Sequence, residues 1–355
     1  MSPVDRRPLL DLFPADVPLR GASTSAETIT LDAFYGFTES PFSLSTDPKF
    51  VYHSAAHDRV AQEVLSAIRR RDAVAVVTGE VGIGKTTLCR AVMEELDGRT
   101  LIALVDRPVA SAEDLLREML VGFGVVRLRA SERERLARAS RNELVEALRN
   151  FLTSLVPLSA FAVVVVDEAQ RLPTEALQQI RAFAEMADDP RLLQIVLVGQ
   201  PALAARLRTA DLAALDRRVT VRATLGPLAA EEVVDYVSHR LSVAGADPRV
   251  DFSDAAAERI FELSGGVPAI VNLLCDRALV RGYVAVASVI DAEMVEAAAF
   301  DLDFARPEPV GRWLLRGAAI IAAFAALVVA GALTAARVFH DPLARLIVRW
   351  GGPGR

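Results

Sequence analysis

A short apolar run passes directly into a glycine-rich segment, and this junction constrains the fold more than any other part of the chain. Residues 73–78 read AVAVVT, and the following GEVGIGKTT matches the pattern G-x-x-x-x-G-K-[ST] at Gly79, Gly84, Lys85 and Thr86. Glycines let successive backbone N–H groups converge on one anion, and a following helix directs the positive end of its dipole at the same point. The pattern therefore predicts a strand, a phosphate-binding loop and a helix, in that order.

The side chains of this loop predict a nucleoside triphosphate and a magnesium ion as its ligands. Lys85 would reach the β- and γ-phosphates, and the Thr86 hydroxyl would bind Mg²⁺. Lys49 and Lys85 are the only lysines among 40 basic residues, so a lysine here indicates chemistry that arginine does not supply. A glycine-rich turn without a ligand is the alternative interpretation. The residues expected to bind ATP are Gly79, Glu80, Val81, Gly82, Ile83, Gly84, Lys85, Thr86 and Thr87.

A pair of acidic residues follows another apolar run. Residues 162–166 read AVVVV, and Asp167 and Glu168 come directly after them. Ligands of open α/β sheets bind at the carboxyl ends of the strands, so we expect Asp167 to lie beside the loop and help bind Mg²⁺. Glu168 can then polarise the attacking water. Such a pair is equally typical of a helix cap or a solvated strand end, but next to a phosphate-binding loop it predicts ATP hydrolysis.

Short apolar runs alternate with longer amphipathic ones over the middle of the chain. Strands are predicted at 73–78, 100–105, 162–166, 192–198 and 219–223. Strands separated by helical segments predict an α/β fold, with a parallel sheet covered by helices on both faces. After Gly226 and Pro227 we expect four helices and no further strand. Gly265 and Gly266 end one of these helices and Pro268 begins the next, so a small all-helical domain follows the sheet.

The segments outside this body differ from it in composition. Residues 1–33 lack periodicity and are predicted to be a flexible leader, and residues 301–316 form a linker broken by proline. Residues 317–336 are 20 consecutive uncharged residues, enough for a helix to cross about 30 Å of hydrocarbon. We therefore expect a C-terminal transmembrane helix with Trp313 and flanking arginines as interfacial anchors. A buried helix of a soluble domain is the alternative. Residues 337–355 would form a short basic tail.

Charge is distributed unevenly between the body and the tail. Seven arginines accompany two acidic residues from Arg306 onward, whereas residues 1–305 contain 33 basic and 44 acidic residues. An acidic body disfavours non-specific binding of nucleic acid, which depends on clustered Lys and Arg. The first residues carry charge and proline where a secretory signal needs a continuous apolar stretch, so we expect the body to stay in the cytoplasm.

Five segments together resemble a known protein family. They read FYGFTESPFSLSTDPKFVYHSAAHDRV, TGEVGIGKTTL, VVVDEAQRL, LLQIVLVGQPAL and SGGVPAIVNLLCDRAL. Over residues 34–300 the pattern resembles AAA+ ATPases of the bacterial general secretion pathway component A (ExeA-like) type. The resemblance implies a P-loop NTPase α/β domain at 34–226, a helical lid domain at 227–300, hydrolysis of Mg-ATP and assembly into a homo-oligomer.

The same resemblance implies roles for three further positions. Gln200 falls at the sensor position that orients the γ-phosphate or the attacking water, although a plain polar strand end is the alternative. Arg218, in LDRRV, resembles the arginine supplied to a neighbouring subunit's nucleotide, with Arg217 as an alternate and a surface arginine as an equally consistent interpretation. The family's lid motif G-x-P-R ends in Ala269 here, so its sensor arginine is missing. Either slow hydrolysis or a weak response of the lid to nucleotide is expected.

The expected function is that of a single-pass protein of the bacterial inner membrane whose cytoplasmic ATPase domain drives assembly of a secretion or envelope system. Its expected partner is a membrane protein, and nucleic acid is not expected. Two alternatives remain: a DNA-engaged AAA ATPase of the transposition type, and a nucleotide-dependent scaffold with little hydrolysis. The aromatic and histidine residues before the loop are candidates for adenine contacts or for the core: Tyr35, Phe42, Phe50, Tyr52, His53 and His57.

Overall fold

The computed structural model describes residues 30–302, apart from residue 46 and the segments 126–129, 185–189 and 246–248. One compact unit extends to Ala299, and a second unit begins at Phe300. Within the described ranges no helix is long and apolar enough to cross a membrane. The predicted transmembrane helix at 317–336 lies outside the described residues, as do almost all of the predicted leader and linker and all of the basic tail.

A parallel sheet forms the centre of the compact unit. Its strands are β1 (Val74–Thr78), β2 (Thr100–Val105), β3 (Phe161–Val166), β4 (Leu193–Gly199) and β5 (Val219–Thr224). Their order in the sheet is β2-β3-β4-β1-β5, and every neighbouring pair is parallel. The predicted strands are therefore confirmed, each end to within one residue. The carboxyl ends of β3 and β4 lie together beside the carboxyl end of β1, where the phosphate-binding loop begins.

Alternate side chains of the central strands supply two separate cores. In β3, Ala162 and Val164 join the core formed with helices α4 (Ala112–Gly122), α6 (Arg141–Leu155) and α7 (Thr174–Ala184). Val163 and Val165 join the opposite core, which is formed with α2 (Ala55–Arg70) and α3 (Lys85–Glu94). A strand that is apolar on both sides requires cover on both faces, because successive side chains point in opposite directions. The predicted α/β layering is confirmed.

Three shorter helices complete the α/β part of the chain. They are α5 (Ala130–Arg138), α8 (Pro201–Leu207) and α9 (Ala213–Asp216). Helix α8 begins directly after β4 with proline in its first turn, a position where the missing N–H costs no hydrogen bond. This places the start of α8 at the same edge of the sheet as the phosphate-binding loop.

The lid contains the four predicted helices and one feature that the sequence did not predict. The helices are α10 (Ala230–Ala244), α11 (Asp254–Ser264), α12 (Pro268–Val284) and α13 (Ala292–Asp301). Gly265 ends α11 in the left-handed conformation and Pro268 begins α12, as expected. The expectation of no strand after Gly226 was wrong, because β6 (Asp251–Phe252) and β7 (Val289–Ile290) form a parallel ladder. Two residues per strand are too few to produce an alternating pattern.

The segment before α2 packs against the lid. Helix α1 (Leu31–Tyr35) includes residues 31–33, which the sequence assigned to the leader, and five residues are too few to show helical periodicity. The Tyr35 hydroxyl donates a hydrogen bond to the Leu279 carbonyl of α12, at 3.4 Å. Thr38 donates from its backbone N–H and from its hydroxyl to the Ala244 carbonyl at the end of α10. The lid is thus tied to a segment that precedes the sheet in the chain.

Candidate functional site

The glycine-rich loop is held against the sheet at its first residue. The Gly79 N–H donates to the Gly199 carbonyl at the end of β4, at 3.1 Å. Lys85 begins α3, and its Nζ donates to the carbonyls of Gly79 and Glu80 at 3.0 and 2.9 Å. The lysine side chain is only 6% exposed and therefore crosses the inside of the loop. Phosphate oxygens can replace these carbonyls as partners of Nζ.

Two glycines allow the backbone of the loop to close. Gly82 and Gly84 have φ angles of +79° and +95°, a region that residues with a Cβ rarely adopt. A Cβ on Gly84 would lie 3.0 Å from the His57 Nε2 atom. The loop therefore lies directly against α2.

Burial changes the pKa of two basic groups beside the loop. Burial lowers the pKa of the Lys85 ammonium, and the carboxylates of Glu168 and Asp167 oppose that change. Burial also lowers the pKa of the His57 imidazole, whose Nδ1 lies 2.7 Å from the Ser54 hydroxyl. A lysine that loses water contacts in this way gains from a triphosphate, because the new charges replace the lost solvation.

Thr86 and Asp167 meet at the carboxyl ends of β1 and β3. The Thr86 hydroxyl donates to Asp167 Oδ2 at 2.5 Å. A hydroxyl and a carboxylate are the hard oxygen ligands that Mg²⁺ prefers, and Mg²⁺ usually takes one or two protein ligands together with nucleotide phosphates. The pair fits the predicted magnesium site.

Glu168 stands at a strained turn directly after β3. Its φ of +50° lies in the left-handed region, which is uncommon for glutamate. One carboxylate oxygen, Oε2, accepts a hydrogen bond from Gln170 Nε2 at 2.8 Å. The same oxygen forms an ion pair with Arg171 Nε at 3.2 Å. Glu168 lines the same cleft as Lys85 and Thr86, so the structure brings these three predicted residues together.

Gln200 and Arg218 lie at opposite edges of the sheet. Gln200 is the N-cap residue of α8, next to the β4 end that binds Gly79, and its N–H donates to Gln170 Oε1 at 3.0 Å. Arg218 precedes β5, whose first residue Val219 pairs with Val74 at the amino end of β1. Arg218 is therefore at the opposite edge of the sheet from the phosphate-binding loop of its own chain, and the same holds for Arg217.

A cleft of about 660 Å³ extends from the loop to the lid. Four of the six aromatic and histidine candidates line it, namely Phe50, Tyr52, His53 and His57. The other two, Tyr35 and Phe42, are core residues at 0% and 3% exposure, packed against the lid. The proposed adenine contacts thus divide between cleft and core.

Arg240 of the lid helix α10 also lines the cleft, and the sequence did not single it out. Its guanidinium donates to the carbonyls of Pro41 and Ser43 at 2.6 Å and lies 4.3 Å from the centre of the Phe50 ring. No pattern marks it, because an arginine is unremarkable on an amphipathic helix. Arg240 holds the segment around Pro41 and Ser43, which precedes α2, against α10.

The lid contacts the loop at Ala269, the position where the family's lid motif has its sensor arginine. The Ala269 N–H, in the first turn of α12, donates to the Gly82 carbonyl at 3.1 Å. A Cβ on Gly82 would lie 2.7 Å from the Ala269 Cβ. The lid helix therefore packs on the loop by its backbone, at a position where no long side chain intervenes.

Comparison with known proteins adds the family. The profile of a family described as AAA domain matches residues 68–207. General secretion pathway protein A of Aeromonas hydrophila is 34% identical over 281 residues, which are 79% of this chain and 49% of that protein. This chain is an AAA+ ATPase related to general secretion pathway protein A. It spans about half the length of that curated relative.

Solved structures share the fold of this AAA+ ATPase. The ORC2 protein of Aeropyrum pernix has a TM-score of 0.56 at 16% identity, with 77% of this chain and 74% of that chain covered. The Cdc6p protein of Pyrobaculum aerophilum has a TM-score of 0.58 at 15% identity, with 75% and 72% covered. At such low identity these likenesses establish the fold alone. The family match and the loop together identify a P-loop protein that binds ATP.

Proposed function

We propose that this AAA+ ATPase hydrolyses Mg-ATP to drive the assembly or operation of a bacterial secretion or cell-envelope system. The observation that carries the chemical part is the convergence of Lys85, Thr86 and Glu168 on a single cleft, with Asp167 hydrogen-bonded to Thr86. The relative from Aeromonas hydrophila, whose name places it in a general secretion pathway, supports the cellular part.

Each side chain has a defined task in this proposal. The loop amides and Lys85 hold the phosphates of ATP, and Thr86 and Asp167 hold Mg²⁺. The bound ion neutralises charge that develops on the phosphate oxygens. The Glu168 carboxylate accepts a hydrogen bond from the attacking water and so aligns the water with the terminal phosphorus of ATP. Gln200, beside the end of β4, orients the γ-phosphate or that water.

The proposal includes a homo-oligomer in which Arg218 serves a neighbouring subunit. The separation of Arg218 from the loop of its own chain, across the length of β5, supports action in trans. An arginine supplied in this way raises turnover by about 10³ to 10⁵ in P-loop enzymes, because it stabilises charge only in the transition state.

The proposal also includes an anchor in the bacterial inner membrane, with the ATPase domain in the cytoplasm and a membrane protein as partner. The uncharged run 317–336 and the arginines on both sides of it support the anchor. The net acidity of residues 1–305 argues against a role based on non-specific binding to DNA.

Nucleotide binding and turnover by the full chain test the residue assignment. We expect Lys85→Ala to abolish tight binding of ATP in calorimetric titration, and Glu168→Gln to retain ATP while turnover falls by about 10² or more. Chelation of Mg²⁺ by EDTA should also stop turnover. Lys49→Ala is the matched control, since Lys49 is a half-exposed lysine paired with Glu39 and Asp47 and should leave both measurements unchanged. Unchanged ATP affinity in Lys85→Ala would contradict the assignment.

A further inference from the structure

Gln170 makes two hydrogen bonds that join the predicted water-polarising residue to the predicted sensor position. Its Nε2 donates to Glu168 Oε2 at 2.8 Å, and its Oε1 accepts from the Gln200 N–H at 3.0 Å. Glu168 follows β3 and Gln200 follows β4, and these two strands are neighbours in the sheet. One side-chain amide therefore spans the gap between two strand ends at the edge where ATP is hydrolysed.

The partners determine which way the amide points. A backbone N–H can only donate, so the side-chain oxygen of Gln170 must face Gln200. The NH₂ group then faces Glu168, whose carboxylate must accept.

Surrounding groups hold Gln170 in this position. Arg206 of α8 donates from Nη1 to the carbonyls of Gln170 and Leu172, at 2.5 and 2.9 Å. A Cβ on Gly199 would lie 2.6 Å from Gln170 Oε1, so the end of β4 leaves room for the amide only because it is glycine. The turn after β3 is thus fastened to the start of α8 by side chains from both elements.

We propose that Gln170 is a positioning residue for ATP hydrolysis, which aligns the Glu168 carboxylate with the Gln200 position. It touches neither ATP nor the attacking water and acts through Glu168. This inference rests on the proposed role of Glu168.

Two substitutions separate the two hydrogen bonds. Gln170→Glu keeps the oxygen that accepts from Gln200 and removes the donor to Glu168, whereas Gln170→Met removes both in a similar volume. We expect both to lower kcat at least tenfold, because small misalignments of a reacting group reduce rates strongly. KM for ATP should stay close to the parent value. Gln178→Glu makes the same chemical change on α7, where Gln178 is exposed and bonds the Asp211 carbonyl, and should leave kcat unchanged.

A double-mutant cycle tests whether Gln170 acts through Glu168. In single-turnover measurements on the full chain, Gln170→Met should add no loss to that of Glu168→Gln, since residues that act as one unit are not additive. Additive losses, kcat within twofold of the parent, a rise in kcat, or a KM increase that matches the kcat loss would each overturn the inference. If Glu168→Gln alone leaves turnover intact, the proposed function of Glu168 fails instead, and the two failures are distinguishable.

Discussion

Substitution of Gly82 by alanine should uncouple the lid from the nucleotide loop, and the structure allows the cost to be worked out. Gly82 has a φ of +79°, and its carbonyl accepts the Ala269 N–H at the start of α12. A new methyl group would lie 2.7 Å from the Ala269 methyl carbon. The substitution therefore adds backbone strain in the loop and a collision with the lid helix.

The two costs are comparable in size. A residue with a Cβ in the left-handed region loses about 1–2 kcal/mol of folding free energy. Relief of the collision requires a shift of about 1 Å between the loop and α12, and overpacking of this kind costs about 1–3 kcal/mol. The total of about 2–5 kcal/mol is a large part of the roughly 5–15 kcal/mol by which a domain is usually stable.

Two other glycines serve as matched controls. Gly124 also has a positive φ, +70°, but a Cβ there would meet open space, so Gly124→Ala measures the strain alone. Gly98 has neither a positive φ nor a close neighbour, and Gly98→Ala should change stability by less than about 0.5 kcal/mol. The difference between Gly82→Ala and Gly124→Ala isolates the contact between loop and lid.

Urea unfolding of the full chain without nucleotide, followed by circular dichroism, measures these differences. At an unchanged slope, a lower midpoint reports lost stability. We expect the order Gly98→Ala, Gly124→Ala, Gly82→Ala, from least to most destabilised. If Gly82→Ala costs no more than Gly124→Ala, the reasoning is refuted, because the lid then does not pack on the loop.

Two further predictions concern the assembly and the membrane. Arg218→Ala should lower turnover by about 10³ or more without lowering ATP affinity, and mixing it with Glu168→Gln subunits should restore some activity. Absence of rescue in confirmed mixed oligomers would reduce Arg218 to a surface residue. The full chain should stay in membranes during carbonate extraction, and release by carbonate would contradict the span at 317–336. A cysteine introduced by Arg355→Cys should react with an impermeant reagent from outside, and protection of that cysteine would contradict the orientation.

Several parts of the site could be predicted because their determinants are local. The loop pattern fixes the positions of Lys85 and Thr86 relative to a strand and a helix, and the acidic pair after β3 follows from one apolar run. Gln170 lies two residues after Glu168 and was not singled out. Knowledge that β3 and β4 are neighbours would have indicated it, since a glutamine at one strand end can then reach the other.

The sequence by itself determined the five strands of the central sheet, the lid helices and the loop, because apolar periodicity, glycine positions and proline positions act within one turn or one strand. Only the tertiary structure decided the contacts between distant segments: the amide of Gln170 against Gln200, the Ala269 N–H on Gly82, and Arg240 on the segment before α2. Each depends on the order β2-β3-β4-β1-β5 or on how the chain folds back onto the lid. Such contacts join residues far apart in the chain, and no local repeat records which distant partner each residue meets.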